Sequence, residues 1–472
     1  MALDIKQDLV ARLSISSAVI IAGDEGWESA IGRWTRYRTE VPAAVVQPIT
    51  EEDVILTISY LVYKDLPFKV RGGGHSNGFS TIASPGVVLD LSRMRKVTVD
   101  VERQVVVAQG GATMGDGINA AASVGFAVAT GTCNEVGLVG ATLGGGIGRF
   151  LGLLGYSTDT VISMRIAVVD ETGKASIVEA SAKTEKDLFW GLRGYGHLFA
   201  VVVEATFKAI PWEHLTWHTT LVFDPSQIGL ISEELDKVHC HGGMQGRLVF
   251  CAPPPDGKPL VLLQLWYIGP PEEAAGKFST LLDLPSKADH PLNFIGHLIP
   301  YKSLNDSSKR ICAYAGRKNL SAFGMKALSA ESGTVALKVF TDFIAKHPEA
   351  AQTHILIEFY SMDVASELDK DGTETSLSSE FRRDVKYWVM PLAWYSDPAL
   401  DDDCATLNKD IREAFLTTSA GNQIPSVSYV NMPFEDATAS QIVGSKERLE
   451  KLQALKAKWD PLGVIKGVIP LS

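Results

Sequence analysis

Arg71-Gly72-Gly73-Gly74-His75-Ser76 follows a short β-type run, Phe68-Lys69-Val70. Three successive glycines are costly inside a helix or strand, roughly 0.5–1 kcal/mol each relative to Ala. They belong where the backbone turns tightly and comes close to a ligand. Such a turn offers several bare N–H groups to a phosphate or another anion. Arg71 adds a fixed charge and His75 a nucleophilic imidazole at the lip of the turn. Taken alone, the stretch reads equally well as a glycine-rich surface loop. A second stretch separates the two readings: Gly131-Thr132-Cys133 leads through Val136-Gly137 and Gly140 into Gly144-Gly145-Gly146-Ile147-Gly148. A second glycine-dense loop, opening on a cysteine, is not a chance feature and favours the ligand-binding reading.

Outward from these loops, the chain alternates short strands and helices. Ile5, Leu9 and Leu13 stand four apart and predict a helix over 4–13. The apolar run 43–46, bounded by Pro42 and Pro48, predicts a strand. Thr50-Glu51-Glu52-Asp53 predicts a helix start with acids in the first turn. This β–α–β order ends on the strand before His75 and puts the histidine at a strand's C-terminal end, a usual place for ligand contacts. Strands are expected at 87–91, 105–108, 161–169, 175–178 and 200–207, with a helix at 114–122. Pro211-Trp212 marks a boundary. Beyond it, apolar runs (260–267, 354–359, 387–390) alternate with helical runs (271–282, 332–346), which predicts an antiparallel sheet backed by helices. A last helix is expected over 446–459.

The whole chain excludes several classes. Its 472 residues predict two or three domains, with 46% hydrophobic and 21% charged residues. A net charge of −11 and no polybasic run argue against nucleic acid. No stretch approaches 18 apolar residues, so no membrane span is expected. The N-terminus carries early acids and no apolar core, so no secretory signal is read. The five cysteines, at 133, 240, 251, 312 and 404, are odd in number and lack paired spacing. We therefore expect reduced thiols and an intracellular, cytoplasmic location. His239-Cys240-His241 has no second ligand pair, so no metal is expected. No Gly-x-Gly-x-x-Gly is present, and the Gly-Lys pairs at 173, 257 and 276 continue into Ala, Pro and Phe, against NAD and ATP.

The two glycine loops together resemble the covalent flavoprotein oxidases of the vanillyl-alcohol oxidase superfamily, in particular the berberine-bridge-enzyme-like branch with its PCMH-type FAD-binding domain. Ser428-Tyr429-Val430-Asn431 resembles that branch's Tyr-x-Asn element, and Asp460-Pro461 its closing segment. The resemblance implies an α+β fold in three stretches. Residues 1–210 are the FAD-binding domain (core about 38–210), 211–428 the substrate domain, and 429–472 a segment returning to the flavin. It implies a doubly tethered FAD, through His75 to the flavin 8α-methyl and through Cys133 to C6. The cofactor residues it implies are Arg71, Gly72, Gly73, Gly74 and Ser76 of the first loop, then Gly131, Thr132, Val136, Gly137, Gly140, Gly144, Gly145 and Gly146, with Asn431. A small residue at Val136 is similar to those of the oxygen-accepting members. Ala141 departs from the histidine that plant relatives carry there, and Met432 from a second tyrosine.

For catalysis, Tyr429 and Glu358 are the candidate bases. Glu358 lies in an apolar strand, His354-Ile355-Leu356-Ile357-Glu358-Phe359-Tyr360, where a carboxylate should have a raised pKa. Alternation puts His354, Leu356, Glu358 and Tyr360 on one face. Gln264, Trp266 and Tyr360 are candidate substrate contacts. The expected activity is an oxidase taking hydride from an alcohol, amine or activated C–H of a small specialised metabolite. Dioxygen is the expected acceptor, peroxide the product, and ring closure one outcome. A net non-redox isomerase or cyclase on the same scaffold, and a flavin-carrying binding protein, are the rival readings.

Overall fold

The computed structural model describes residues 1–77, 81–418 and 428–467. Three sheets organise it. The first is four-stranded, in the order Ala18–Ile20, Ala44–Gln47, Val87–Asp90, Phe68–Arg71. Its outer pair is antiparallel and the other two pairs are parallel. The helix Glu51–Tyr63 makes the crossover. Thr50 and Asp53 cap it reciprocally, each side chain taking the other's backbone N–H. This is the β–α–β unit expected from the sequence, and it delivers the chain to His75 at the end of Phe68–Arg71.

The second sheet has six strands. Val97–Asp100, Val105–Gln109, Val201–Pro211, Val161–Val169 and Ala175–Ser181 follow one another, and Phe126–Val128 pairs with the end of Val201–Pro211. All its pairs are antiparallel. The third sheet has eight strands, in the order Phe294–Ile299, Thr216–Phe223, Leu260–Tyr267, Met244–Cys251, His354–Tyr360, Tyr387–Tyr395, Arg317–Leu320, with Phe323–Met325 on Tyr387–Tyr395. It too is antiparallel.

Residue alternation splits the large sheet's two faces. Leu248, Phe250, Ile355, Ile357 and Val389 pack under the helices Ile228–Asp236, Ala330–Lys346 and Asp401–Thr417. Val249, Leu356, Tyr360 and Met390 turn the other way, into a second apolar group with Tyr156 and Tyr429. That second face looks toward the glycine loops. Fold class is therefore mixed α+β, with a helix-backed antiparallel sheet as expected. The run 271–282 is not one helix but three short turns, Pro271–Glu273, Ala274–Lys277 and Ser279–Leu282. Among the described residues, no helix is long and apolar enough to cross a membrane.

Candidate active site

The two glycine loops touch. A Cβ on Gly73 would lie 2.2 Å from the Gly137 nitrogen, so only glycine permits this approach. Between the loops and the exposed face of the large sheet lies a cavity of about 360 Å³. Gly72, Gly73, Gly74, His75 and Ser76 line it from one loop, and Gly131, Thr132, Cys133, Val136, Gly137, Gly140 and Gly146 from the other. Gly144 and Gly145 stand behind that wall. A Cβ on Gly144 would strike the Asn431 side chain, and Gly145 has φ +106°. Arg71 turns away: its guanidinium pairs with the fully buried Asp90 and donates to the Gly32 carbonyl. Its role in this structure is to anchor the loop's first residue.

His75 sits in an aromatic bracket. Trp34 stacks on it at 5.4 Å and Tyr314 meets it edge-on at 5.3 Å. Its Nε2 is closed off from solvent and has no hydrogen-bond partner. Burial, aided by the Lys318 and Arg33 charges, pushes the imidazole down to about 3. It is thus a neutral nitrogen base on the wall of a cavity, with a lone pair or an N–H left unused. A buried orphan of this kind is costly unless something completes it. A flavin bonded at this histidine and laid along the loop backbone fits that requirement.

Cys133 corrects an expectation. Its sulfur is bonded to Cys312, which lies at the end of the helix Lys309–Cys312. The two cysteines are 179 residues apart, so sequence spacing carried no hint of the pair. Reduced thiols were expected throughout; in the structure Cys240, Cys251 and Cys404 are free and this pair is joined. Both cysteines line the cavity. Asn305 pins the same loop by donating to the Gly131 carbonyl at 3.0 Å and to Asn134 at 3.1 Å.

Tyr429 closes the far side. Its phenolic oxygen accepts hydrogen bonds from Gly146 N–H (3.2 Å), Ile147 N–H (3.4 Å) and Asn431 Nδ2 (2.9 Å). These donors favour the anion, but burial outweighs them and pushes the phenol up. A base at Tyr429 would have to overcome that upward shift. Asn431 also donates to the Ala141 carbonyl at 2.8 Å and accepts from His197 Nε2 at 3.2 Å. His197, pushed down to about 4 by burial and by Lys69, lines the cavity and had no signature in the sequence.

Glu358 lines the cavity from the sheet. Two groups engage this carboxylate on its apolar strand. Tyr360 OH donates to it at 2.6 Å, and Arg247 Nη1 lies 3.8 Å away. Arg247 comes from the neighbouring strand, directly opposite Glu358 in register. Gln264 accepts from Arg247, and Trp266 lies beneath Arg149 and Arg247. Gln264, Trp266 and Tyr360 therefore form the layer behind the cavity wall, and Arg247 and Ser308 are the cavity-lining groups beside Glu358.

Comparison with known proteins agrees with this geometry. The FAD binding domain family matches residues 42–178. The chain is 67% identical over 471 residues to the FAD-linked oxidoreductase hasG of Aspergillus fumigatus, covering all of both chains. It is 26% identical to the FAD-linked oxidoreductase srdI of Neurospora crassa, over 97% of this chain and 90% of that one. The fold is similar to a BBE-like protein of Physcomitrella patens (TM-score 0.81, 19% identity, 99% of each chain). It is also similar to the glucooligosaccharide oxidase of Acremonium strictum, whose FAD is 6-S-cysteinyl and 8α-N1-histidyl (TM-score 0.77, 22% identity, 99% of each chain). With the matched flavin domain, the near-identical length of its relatives and a histidine-bearing glycine loop on a shared cavity, the chain is an FAD-linked oxidoreductase of the berberine-bridge-enzyme-like, PCMH-type FAD-binding family.

Proposed function

We propose that the protein is an oxidase. It takes hydride from an alcohol, amine or activated C–H of a small, largely apolar specialised metabolite, passes the electrons to dioxygen and releases hydrogen peroxide. Oxidative ring closure is within its reach. The observation that carries the reading is the shared cavity: the neutral His75 faces it from one side, and Glu358 and Tyr429 from the other. Bound FAD supplies the hydride acceptor, and a tether at His75 raises its readiness to accept. Glu358, a carboxylate with hydrogen-bonded support, takes the substrate proton. Tyr429, held protonated, donates a hydrogen bond into the cavity. Ile147, Leu356, Met390 and Met432 exclude water from the same space.

The second tether, at Cys133, belongs to the same proposal. It requires the Cys133–Cys312 bond to be opened first by two electrons from a cellular dithiol, which leaves both cysteines as thiols. An intracellular location and the division at residues 210 and 428 are proposed with it; cell fractionation and limited proteolysis test them. The central test is acid precipitation of the purified protein, followed by absorbance and peptide mass mapping. Yellow colour staying in the pellet, with flavin mass on the His75 peptide, is the expected outcome. A colourless protein would remove the oxidase and leave the non-redox reading.

A further inference from the structure

We propose that the substrate carries one anionic oxygen, a carboxylate or an ionised hydroxyl, and that Arg247 seats it and so determines specificity. This deepens the oxidase reading and rests on it. The cavity's sheet side is apolar at Ile311, Leu320, Leu356, Met390 and Leu392, and Arg247, Ser308 and Glu358 stand among them. The polar groups are therefore concentrated on one spot of an otherwise apolar wall, the arrangement that orients a small ligand.

Arg247 is fixed from behind. Its Nε and Nη2 both donate to Gln264 Oε1, at 3.0 and 2.6 Å. That leaves Nη1, which has only a long contact to Ser308 Oγ at 3.4 Å and to Glu358 Oε1 at 3.8 Å. Arg247 is 3% exposed, so bulk solvent does not reach it and the open direction of Nη1 is the cavity. Ser308 is equally buried and its own hydroxyl hydrogen is available. One oxygen placed between them takes a hydrogen bond from each.

Charge argues that this oxygen is anionic. A second guanidinium, Arg149, is also 3% exposed and lies 3.8 Å above the Trp266 ring; Arg247 lies 5.5 Å from the same ring. Arg149 Nε and Nη2 have no partner. Two buried guanidinium groups thus share the field of one carboxylate, Glu358, which contacts only Arg247. An uncompensated buried charge is strongly unfavourable, and a mono-anion bound at Arg247 balances the group. Glu358 then remains beside the anion, held by Tyr360 and ready to act on a neighbouring carbon or nitrogen.

The test is calorimetric titration of the holoenzyme with two isosteric pairs, benzoate against benzamide and 4-nitrophenolate against 4-nitroaniline. A charge-assisted hydrogen bond predicts that the anion binds about ten- to a hundred-fold tighter in at least one pair. The pair that shows it says which anion is used. Arg247→Met should bring the two members of that pair level, and Arg247→Lys should keep the anion preference in weakened form. Equal affinity in both pairs, or a preference that survives Arg247→Met, would overturn the proposal. Should Arg247→Met not fold, the wild-type ratios and Arg247→Lys still decide it. Selective anion binding by a colourless protein would refute the oxidase reading alone; a yellow protein without anion preference would refute Arg247's role alone.

Discussion

In the proposed oxidase, Tyr429 and Glu358 divide the proton work because their surroundings differ. The tyrosine's oxygen accepts from three donors and its residue is buried on the cavity wall, which leaves the cavity as the direction for its own hydrogen in the proposed role. Tyr429→Phe keeps the ring and strands those donors. Leaving buried donors unsatisfied costs about 1–3 kcal/mol. A urea titration should show that loss with the flavin still bound. Glu358→Gln keeps the shape of the wall and removes the base. Flavin reduction under anaerobic conditions should slow about 10²–10⁴-fold, and a rate within a factor of three of wild type would move the base elsewhere. The legibility of single residues follows from their neighbours. His75 and Cys133 stand in glycine contexts that a one-dimensional reading can weigh. Trp34, His197, Arg247 and Tyr314 lie in ordinary local sequence and acquire meaning only from what the fold brings beside them. Arg247 is a lone arginine in an apolar run until strand pairing sets it opposite Glu358.

At the scale of elements, the glycine loops are the decisive parts, and their tolerance can be measured. Gly73→Ala would push a methyl group into the Gly137 backbone, which cannot rotate away as a side chain would. Overpacking of this kind costs about 1–3 kcal/mol. Parting the loops should also spoil the cradle, so Gly73→Ala is expected to purify folded but with little flavin, as read by the absorbance ratio of cofactor to protein. Elements with a clear signal were legible. The Thr50 start and the helix Met114–Ala122 fall where capping and amphipathic spacing put them, and the closing helix Lys446–Trp459 falls where it was expected. The strands Thr216–Phe223 and Met244–Cys251 were not read, because every residue in both is buried and alternation vanishes. The helix Asp401–Thr417 was missed as well. Its signal was the run Asp401-Asp402-Asp403 in the first turn, which favours a helix N-terminus electrostatically.

The whole molecule joins parts that sequence keeps far apart, and its pH response is one consequence. Cys133 meets Cys312, Asn305 holds Gly131, and His75 lies between Trp34 and Tyr314 only when the flavin and substrate halves are docked. Docking also encloses histidines. Burial is the leading cause that pushes His75 down to about 3 and His197, His218 and His354 each to about 4. In the unfolded chain each returns to about 6.5. Between those values the unfolded state binds protons that the folded state refuses, so stability is full above pH 6.5 and falls as pH drops toward 4. Each histidine contributes a slope of up to about 1.4 kcal/mol per pH unit within the window. Carboxylates held low, such as Asp53 and Asp401, add the same sign but only near and below their ordinary pKa of 3.8. Glu204, raised by burial, works in the opposite direction. Urea midpoints of the flavin-free protein should therefore decline steeply from pH 6.5 to 4.5, before acid unfolding of the carboxylates begins. His218, stacked on Trp266 at 4.4 Å, offers the control. His218→Phe removes one of the four protons, and the slope should become shallower by about a quarter. An unchanged slope would mean that His218 already takes its proton in the folded protein.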